Sequence, residues 1–353
     1  MTGQDRTLSR RTLIKTGAAS TAFVAMAPSI LRAQEKVVYV NTYGGNIRQA
    51  ETAAYYKPFT DKTGIQVIPV DGVNIGKLKA AVQTKNYEFD ISVFDHLELR
   101  QAKLEGLVET IDYNVINKAN LVPNSVADEA GVLLRALSTV IVYRTDKFPN
   151  GGPQNWADFW DVKKFPGNRS LINQYFSVPA MALLADGVPA DKIYPMDLDR
   201  AFKKLDQIKP HIKVWWTQGN QSEALIHDNE VDMMCMWNGR AQTQVDAGTP
   251  CKIAWDGAQL GWIYYGVTKG TPRAKNAWQF IEFCQQAKAQ ADFSNQLPYG
   301  PANPKAFDLL TPATKEKLPT SPEHLKVAFV PDAEWMGPRM SQLQERWSQW
   351  IAG

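Results

Sequence analysis

The segment formed by residues 233–240 ends in four residues that could contact a small organic ligand. The segment begins with four apolar residues, which predict a short buried strand. In open α/β sheets the carboxyl ends of strands border the ligand crevice, so the residues that follow are placed for binding. Trp237 offers a flat apolar face and Asn238 a donor and an acceptor. Gly239 lets backbone approach closely, and Arg240 carries a planar fork of donors that suits a carboxylate. The alternative is a core strand followed by a surface arginine.

Other aromatic residues fall at predicted strand ends or in loops rich in proline and glycine. With Trp237 they are Tyr43, Trp216, Trp262, Tyr264 and Tyr299. Aromatic walls bind organic cations and apolar stems. Each ring alone could equally cap a hydrophobic core, but the whole set favours one binding cleft.

Catalytic and cofactor motifs are missing from the sequence. The histidines are His96, His211, His227 and His324, and none lies in a nucleophile elbow or a metal-binding helix motif. The pair Gly44-Gly45 lacks the Lys-Ser/Thr partner of a phosphate-binding loop. Asp95-His96 could act as an acid–base pair, but adjacent side chains usually diverge. We therefore expect no enzyme, no cofactor and no metal site.

The first third of the chain alternates between strands and helices. Strands are predicted at 37–40, 65–70 and 89–94, and a helix follows each one. Gly64 is placed to end the first helix as its C′ residue. This alternation predicts a parallel sheet covered by helices, and hence an α/β protein.

The rest of the chain predicts a second unit and a return to the first. The strand at 140–143 has no helix directly after it and is interpreted as a crossing between lobes. Strands at 170–173, 214–216 and 233–236 form the second unit, and the strand at 262–267 leads back. We predict lobe 1 from residues 34–140 plus 262–310, and lobe 2 from 141–261 plus 311–353. Two crossings would leave a ligand cleft at the hinge.

The N-terminus is predicted to be a secretory signal. Paired arginines at Arg10 and Arg11 precede a small and apolar run, which is typical of the twin-arginine route, although Leu13 stands where phenylalanine is usual. Cleavage is expected after Ala33. Residues 1–33 carry a net charge of +4, so the remainder carries −1 of the total of +3. The mature chain therefore gives no basis for nucleic-acid or anionic-membrane binding.

Composition and cysteine count fit an ordinary exported globular protein. The 353 residues are 44% hydrophobic and 21% charged, and the length suggests about two domains. Three cysteines cannot all pair within one chain. Cys235 and Cys284 are expected in the core, while a Cys235–Cys251 bridge stays open. No extended apolar seam is evident, so we expect a monomer.

Taken in order, several segments resemble the periplasmic solute-binding proteins of ABC importers, and more narrowly the spermidine/putrescine-binding type. The resemblance spans nearly all of the mature chain and rests on the order of four segments, each weak alone. They are residues 39–45, residues 89–107, Met236-Trp237-Asn238-Gly239, and Pro298-Tyr299-Gly300-Pro301-Ala302-Asn303.

This resemblance implies a two-lobe type II periplasmic-binding-protein fold, with each lobe a mixed sheet flanked by helices. It also implies a membrane permease and an ATPase as partners. The site residues it implies, together with those from the strand ends, are Tyr43, Gly44, Asp95, His96, Asn173, Tyr175, Trp216, Gln218, Trp237, Asn238, Arg240, Trp262, Tyr264 and Tyr299.

Departures from the polyamine-binding pattern change the expected ligand. The loop at 173–177 has no acid, and Tyr264 replaces the acid of a Trp-x-Asp segment. Arg240 stands where a small residue is usual. Burying a cationic ligand against Arg240 would be costly. We therefore expect a small carboxylate or amino-acid-like zwitterion as the ligand. Arg240 would bind its carboxylate, and Asp95 would bind its amine.

Three alternatives remain at the level of sequence. Polyamine binding on the same fold would need Asp71, Asp95 or Asp256 in the pocket. An exported two-lobe enzyme would need an acid–base pair and turnover. A chemoreceptor partner role could coexist with transport.

Overall fold

The computed structural model describes residues 36–121 and 125–353, so the predicted signal and its cleavage site lie outside the described residues. The strands are β1 Val37–Thr42, β2 Gln66–Asp71, β3 Ile91–Asp95, β4 Val126–Ala127, β5 Gly131–Arg144, β6 Arg169–Ile172, β7 Ile212–Trp216, β8 Met233–Trp237, β9 Cys251–Val267 and β10 Gly300–Pro301. The α-helices are α1 Gly45–Glu51, α2 Lys57–Thr63, α3 Ile75–Thr84, α4 His96–Leu104, α5 Trp156–Trp160, α6 Val178–Ala185, α7 Leu198–Ile208, α8 Gly219–His227, α9 Asn238–Asp246, α10 Ala274–Cys284, α11 Ala287–Gln296, α12 Pro312–Glu316, α13 Pro322–Val327, α14 Ala333–Met336 and α15 Met340–Ala352.

The strands form one mixed sheet in the order β2-β1-β3-β9-β5-β8-β6-β7, with β4 and β10 paired to β5. Strand β1 is parallel to β2 and β3, and β6 is parallel to β7 and β8. The central pairs β3/β9, β5/β9 and β5/β8 are antiparallel. The predicted α/β architecture with parallel strands under helices is therefore present, but two antiparallel strands lie between its two parallel parts.

Strands β5 and β9 connect the two parts of the sheet because they are long. They pair along their whole length, from Gly131 opposite Gly266 to Arg144 opposite Cys251. The sequence predicted only their distal ends, at 140–143 and 262–267. Register shifts interrupt the pairing near Leu133 and Thr139, and such irregularities bend a strand.

Two large hydrophobic clusters lie at the two ends of these long strands. One draws its buried residues from 140–258 together with Trp347 of α15. The other draws them from 38–134 and 263–299. Helix α7 is amphipathic and buries Phe202, Leu205 and Ile208.

Several local predictions can be compared with the structure. Gly64 ends α2 in the left-handed conformation, with φ of 72°, and its N–H bonds Thr60 O. The three cysteines are free and buried, so the Cys235–Cys251 bridge is not formed. Among the described residues, no helix is long and apolar enough to span a membrane.

Candidate ligand-binding site

A cavity of about 490 Å³ opens beside the middle of β5 and β9. Its wall is built from the ends of β1, β3 and β8, the central parts of β5 and β9, and three loops. The lining residues are Tyr43, Ile47, Asp95, His96, Leu97, Arg135, Leu137, Thr139, Gln174, Phe176, Ser177, Trp237, Gln259, Leu260, Gly261, Trp262, Ile263, Tyr264, Tyr299 and residues 330–334. The volume lies within the range of small-molecule sites.

Arg135 supplies the guanidinium in the cavity wall. Its side chain is 2% exposed, and Nη1 donates to Oε1 of Glu51 at 2.8 Å. The guanidinium carbon lies 4.7 Å from the ring centroid of Phe293 and 5.9 Å from that of Tyr299. Nε has no hydrogen-bond partner among the described residues, although it is buried. Arg135 therefore has an unused donor in a setting suited to an anion.

Asp95 brings a carboxylate to the same wall. It is the N-cap of α4, where Oδ1 accepts from the Glu98 N–H at 2.8 Å while Oε2 of Glu98 accepts from the Asp95 N–H at 3.2 Å. Burial raises the pKa of Asp95. Burial, and then the charge on Asp95, raise the pKa of Glu98 to about 8. Both shifts arise because charged carboxyl groups lose hydration here, and an ammonium ion would relieve them.

Arg135 and Asp95 lie in one row of the sheet. Both are paired with Ile263 of β9, which lies between Arg135 on β5 and Asp95 on β3. Directly opposed residues of antiparallel strands point to the same face, so the two charged side chains share the face that Ile263 presents to the cavity. Two strand spacings separate their Cα atoms by roughly 10 Å. The row therefore offers opposite charges to the two ends of one small ligand.

Aromatic rings enclose the space around this row. Tyr43 and Trp237 meet with ring centroids 6.0 Å apart, and His96 meets Tyr264 at 5.7 Å. Burial, and then the charges of the neighbouring acids, raise the pKa of Tyr43 well above its usual range. These rings provide apolar contact for a stem and a favourable face for a cation.

Seven of the fourteen predicted site residues line the cavity. They are Tyr43, Asp95, His96, Trp237, Trp262, Tyr264 and Tyr299. The structure therefore brings together the strand-end aromatics and the Asp95-His96 pair.

Arg240 is outside the cavity lining. It lies in the first turn of α9, is 2% exposed, and donates through Nη1 to Oε2 of Glu223 at 2.7 Å. The Arg240 side chain packs directly against Gly219. A Cβ added at Gly219 would lie 2.3 Å from Nε of Arg240. Asn46 and Arg240 bond the same Glu223 carboxylate. The predicted contact between Arg240 and a ligand carboxylate stays a prediction. The arginine that lines the cavity is Arg135.

The other predicted residues outside the lining have structural partners. Asn238 accepts from the Ser138 N–H at 2.9 Å and donates to Pro298 O at 2.7 Å, which fixes the end of β8. Trp216 is fully buried behind Trp237, and Asn173 accepts from the Trp347 indole at 2.7 Å.

Three further predicted residues also lie outside the lining. Gly44 precedes α1 with φ of 69°, and Gln218 is the exposed N-cap residue of α8. Tyr175 packs on Phe176 at 5.3 Å. Burial and the charges of Asp95 and Glu98 raise its pKa to about 12, so it lies near the acid pair.

Sequence reasoning missed Arg135, Thr139, Ser177 and Gln259. Gln259 donates to Ser177 at 3.0 Å, and its Oε1 is buried with no hydrogen-bond partner among the described residues. One signal was available for Arg135, because it interrupts an apolar run from Val132 to Leu137. A charged residue inside such a run is rarely buried without a purpose.

The described polar side chains around the cavity do not include a cluster of metal-ligand type. Within residues 36–121 and 125–353, no three His, Cys, Asp or Glu side chains are grouped so as to hold a metal ion. The cavity's polar groups instead suit an organic solute that carries charge at both ends.

Similarity to known proteins agrees with this description. The family profile described as bacterial extracellular solute-binding protein matches residues 54–322. The gamma-aminobutyric acid-binding protein of Pseudomonas aeruginosa is 36% identical over 338 residues, which cover 94% of each chain. The spermidine/putrescine-binding periplasmic protein of Escherichia coli is 24% identical over 310 residues, covering 84% of this chain and 87% of the relative.

The fold can be compared in the same way. The crystal structure of an ABC transporter substrate-binding protein from Bradyrhizobium japonicum matches with a TM-score of 0.84 and 33% identity, covering 89% of this chain and 99% of that one. This likeness confirms the expected periplasmic-binding-protein fold. The chain belongs to the bacterial extracellular solute-binding protein family, as the substrate-binding component of an ABC transporter.

Proposed function

We propose that this protein captures a small amino-acid-like zwitterion in the cavity beside β5 and β9. Arg135 receives the ligand carboxylate, and Asp95 receives the amine. The aromatic side chains of Tyr43, Trp237 and Tyr264 enclose the stem. The observation that carries this proposal is the row in which Arg135 and Asp95 flank Ile263 on one face of the sheet.

The ligand class follows from the charges and from the relatives. A guanidinium and a carboxylate carried on residues whose Cα atoms lie about two strand spacings apart suit an ω-amino acid better than an α-amino acid, whose charged groups adjoin one carbon. The relative from Pseudomonas aeruginosa is named for gamma-aminobutyric acid, and it is more similar than the polyamine-binding relative. A diamine would place one of its cations beside Arg135, which disfavours the polyamine alternative.

Membership of the family supports a proposal for where the protein acts and where it delivers its ligand. We propose that the mature protein acts in the periplasm, after loss of residues 1–33, and delivers its ligand to a membrane permease driven by an ATPase. It works as a monomer and binds its ligand without turnover. A concentration-dependent mass in sedimentation would contradict the monomer, and consumption of the ligand would contradict binding without turnover.

We also propose the lobe boundaries expected above, with residues 34–140 and 262–310 in one lobe and 141–261 and 311–353 in the other. The two hydrophobic clusters support this division, because one is confined to 38–134 and 263–299 while the other holds 140–258 and Trp347. The cavity draws its lining from both sets, so closure of the lobes would bury a ligand.

The experiment is thermal unfolding of the purified protein against 4-aminobutyrate, 5-aminopentanoate, glycine, butyrate and putrescine, followed by calorimetric titration of any ligand that shifts Tm. A ligand at about 100 times its Kd adds roughly 2.7 kcal/mol to the free energy of unfolding. We expect an ω-amino acid to give the largest shift. A shift with putrescine alone would overturn the ligand class and restore the polyamine alternative.

A further inference from the structure

We propose that Glu51 is a positioning residue that makes this site select zwitterions over simple carboxylates. It does so by holding Arg135 and by cancelling the arginine's charge. The inference rests on the proposed function, since it assumes that the ligand carboxylate meets Arg135, and it narrows the ligand to molecules that carry their own cation.

The Glu51 carboxylate is completely buried and fully used. Oε1 accepts from Arg135 at 2.8 Å and from the Tyr265 hydroxyl at 3.3 Å. Oε2 accepts from the Thr42 hydroxyl at 2.6 Å and from the Tyr56 hydroxyl at 2.7 Å. Four donors on one carboxylate fix its position. Glu51, which is not part of the cavity lining, therefore holds one terminal nitrogen of Arg135.

The local backbone explains how Glu51 reaches this position. Helix α1 continues into a five-residue π-helical segment, Thr52–Tyr56, before α2 begins. The wider turn leaves Glu51, Tyr55 and Tyr56 all buried. Segments of π-helix are rare and occur often at functional sites, because they redirect side chains that a regular helix would turn outward.

The charge that a ligand meets is then set by the acids. Arg135 and Glu51 together are neutral, and burial of Arg135 alone would lower its pKa, but Glu51 and nearby tyrosines raise it overall. Asp95 therefore contributes the uncompensated interior charge. Asp332 and Glu334, at the exposed rim, are also acidic, although solvent screens them.

This charge distribution penalises a simple carboxylate. A monoanion bound at Arg135 would also approach Glu51 and would leave the interior with two uncompensated negative charges. A zwitterion brings a cation to Asp95 and leaves the interior charge unchanged. Charges in a poorly hydrated cavity interact strongly, so the difference is expected to be large.

The test compares two ligands of the same shape on the purified protein. In 4-aminobutyrate an ammonium group occupies the position that a methyl group occupies in pentanoate. We expect 4-aminobutyrate to bind at least 10-fold more tightly than pentanoate at pH 7, by calorimetric titration. Equal binding of the two would overturn this inference together with the amine-binding role of Asp95, and no binding of 4-aminobutyrate or 5-aminopentanoate would overturn the whole proposed function. A preference for 4-aminobutyrate that persists unchanged in the Glu51→Gln variant would overturn this inference alone.

The variant Glu51→Gln keeps the shape and removes the charge. We expect the ratio of the two affinities to fall at least 10-fold, because Arg135 would then offer an uncompensated charge to pentanoate. Tyr56→Phe is the matched control, since it removes one hydrogen bond to the same carboxylate and leaves its charge. If the role of Glu51 were purely structural, both variants would lose stability and keep the wild-type ratio of affinities for 4-aminobutyrate and pentanoate. If Glu51→Gln fails to fold, the wild-type ratio still decides whether the site selects zwitterions.

Discussion

Asp95 and Glu98 cap the N-terminus of α4 through reciprocal hydrogen bonds, in which the N–H of each residue donates to the carboxylate of the other, at 2.8 Å and 3.2 Å. The capping box places two half-buried carboxyl groups at or near the cavity wall. Burial raises both pKa values, and the charge on Asp95 raises that of Glu98 further, to about 8. A local capping motif therefore also controls the charge of the candidate amine site.

The first prediction concerns stability and pH. Because the pKa of Glu98 is raised from 4.5 to about 8, the folded protein holds a proton there that the unfolded chain releases. The free energy of unfolding should therefore decrease as pH rises through this window. We expect Tm of the ligand-free protein to fall between pH 5 and pH 8.

The variant Glu98→Gln should flatten this dependence, because glutamine keeps the capping box without a titrating group. Glu345→Gln, at an exposed site on α15, serves as the control and should leave the slope unchanged. A Glu98→Gln protein with the wild-type slope would show that another group carries the proton.

The second prediction concerns the amine. Asparagine caps helices as well as aspartate, so Asp95→Asn should leave α4 intact while it removes the charge. A hydrogen bond to a charged group contributes about 1.5–3 kcal/mol, so affinity for 4-aminobutyrate should fall roughly 10- to 100-fold. Affinity for pentanoate should not fall. Calorimetry with both ligands checks this, and an equal loss for both would mean that the change disturbed the cavity as a whole.

The third prediction concerns the position where the polyamine-binding pattern has an acid. Tyr264 lines the cavity beside His96, and burial raises its pKa to about 12. We expect Tyr264→Asp to raise the affinity for putrescine relative to that for 4-aminobutyrate by about 10-fold, because a second carboxylate can pair with the second amine. Tyr264→Asn has the same size without the charge and should not change the ratio. A shift in both variants would assign the effect to lost aromatic contact.

The strand-end residues were predictable, and the strand interiors were not. Trp237 and Tyr299 were identified because each follows a recognisable strand or lies in a proline-rich loop, and the fold places such positions at the cavity. Arg135 lies in the middle of β5, a strand of fourteen residues of which only 140–143 was predicted. Its first nine residues do not alternate, since the strand is buried on both faces and carries a bulge.

Arg240 illustrates a different limit. Its side-chain chemistry suited a carboxylate, and the structure gives it one, but the carboxylate belongs to Glu223 of α8. Sequence pattern identifies the kind of partner that an arginine needs and not which partner lies near it. The helix that starts at Asn238 turns Arg240 toward α8, and that direction depends on tertiary packing.

The fourth prediction tests the close approach allowed by Gly239. A Cβ added there would lie 2.5 Å from Cε1 of Tyr299, which lines the cavity. We expect Gly239→Ala to cost about 1–3 kcal/mol of stability by overpacking and to weaken ligand binding as Tyr299 shifts. Gly337→Ala is the matched control, because it lies outside the cavity lining and its Cβ would meet Arg100 at an ordinary 3.8 Å. Thermal unfolding of both variants checks this, and equal shifts would contradict the role assigned to the Tyr299 contact.

The fifth prediction separates the roles of Arg135 and Arg240. Lysine in place of either one keeps a positive charge near its glutamate partner but loses the planar fork that grips a carboxylate. Arg135 lines the cavity, whereas Arg240 is held by Glu223 outside it. We expect Arg135→Lys to weaken binding of 4-aminobutyrate at least 10-fold and Arg240→Lys to weaken it less than 3-fold, with similar losses of Tm.

The reverse order would be equally informative. If Arg240→Lys gave the larger loss of affinity, the guanidinium would have to leave Glu223 and turn toward the ligand when the lobes close. Nε of Arg240 is buried without a hydrogen-bond partner among the described residues, so such a movement would gain a bond for it. Calorimetry of the two variants with 4-aminobutyrate thus decides which arginine receives the carboxylate, and pentanoate in the same titrations shows whether that arginine acts on the carboxylate or on the amine end.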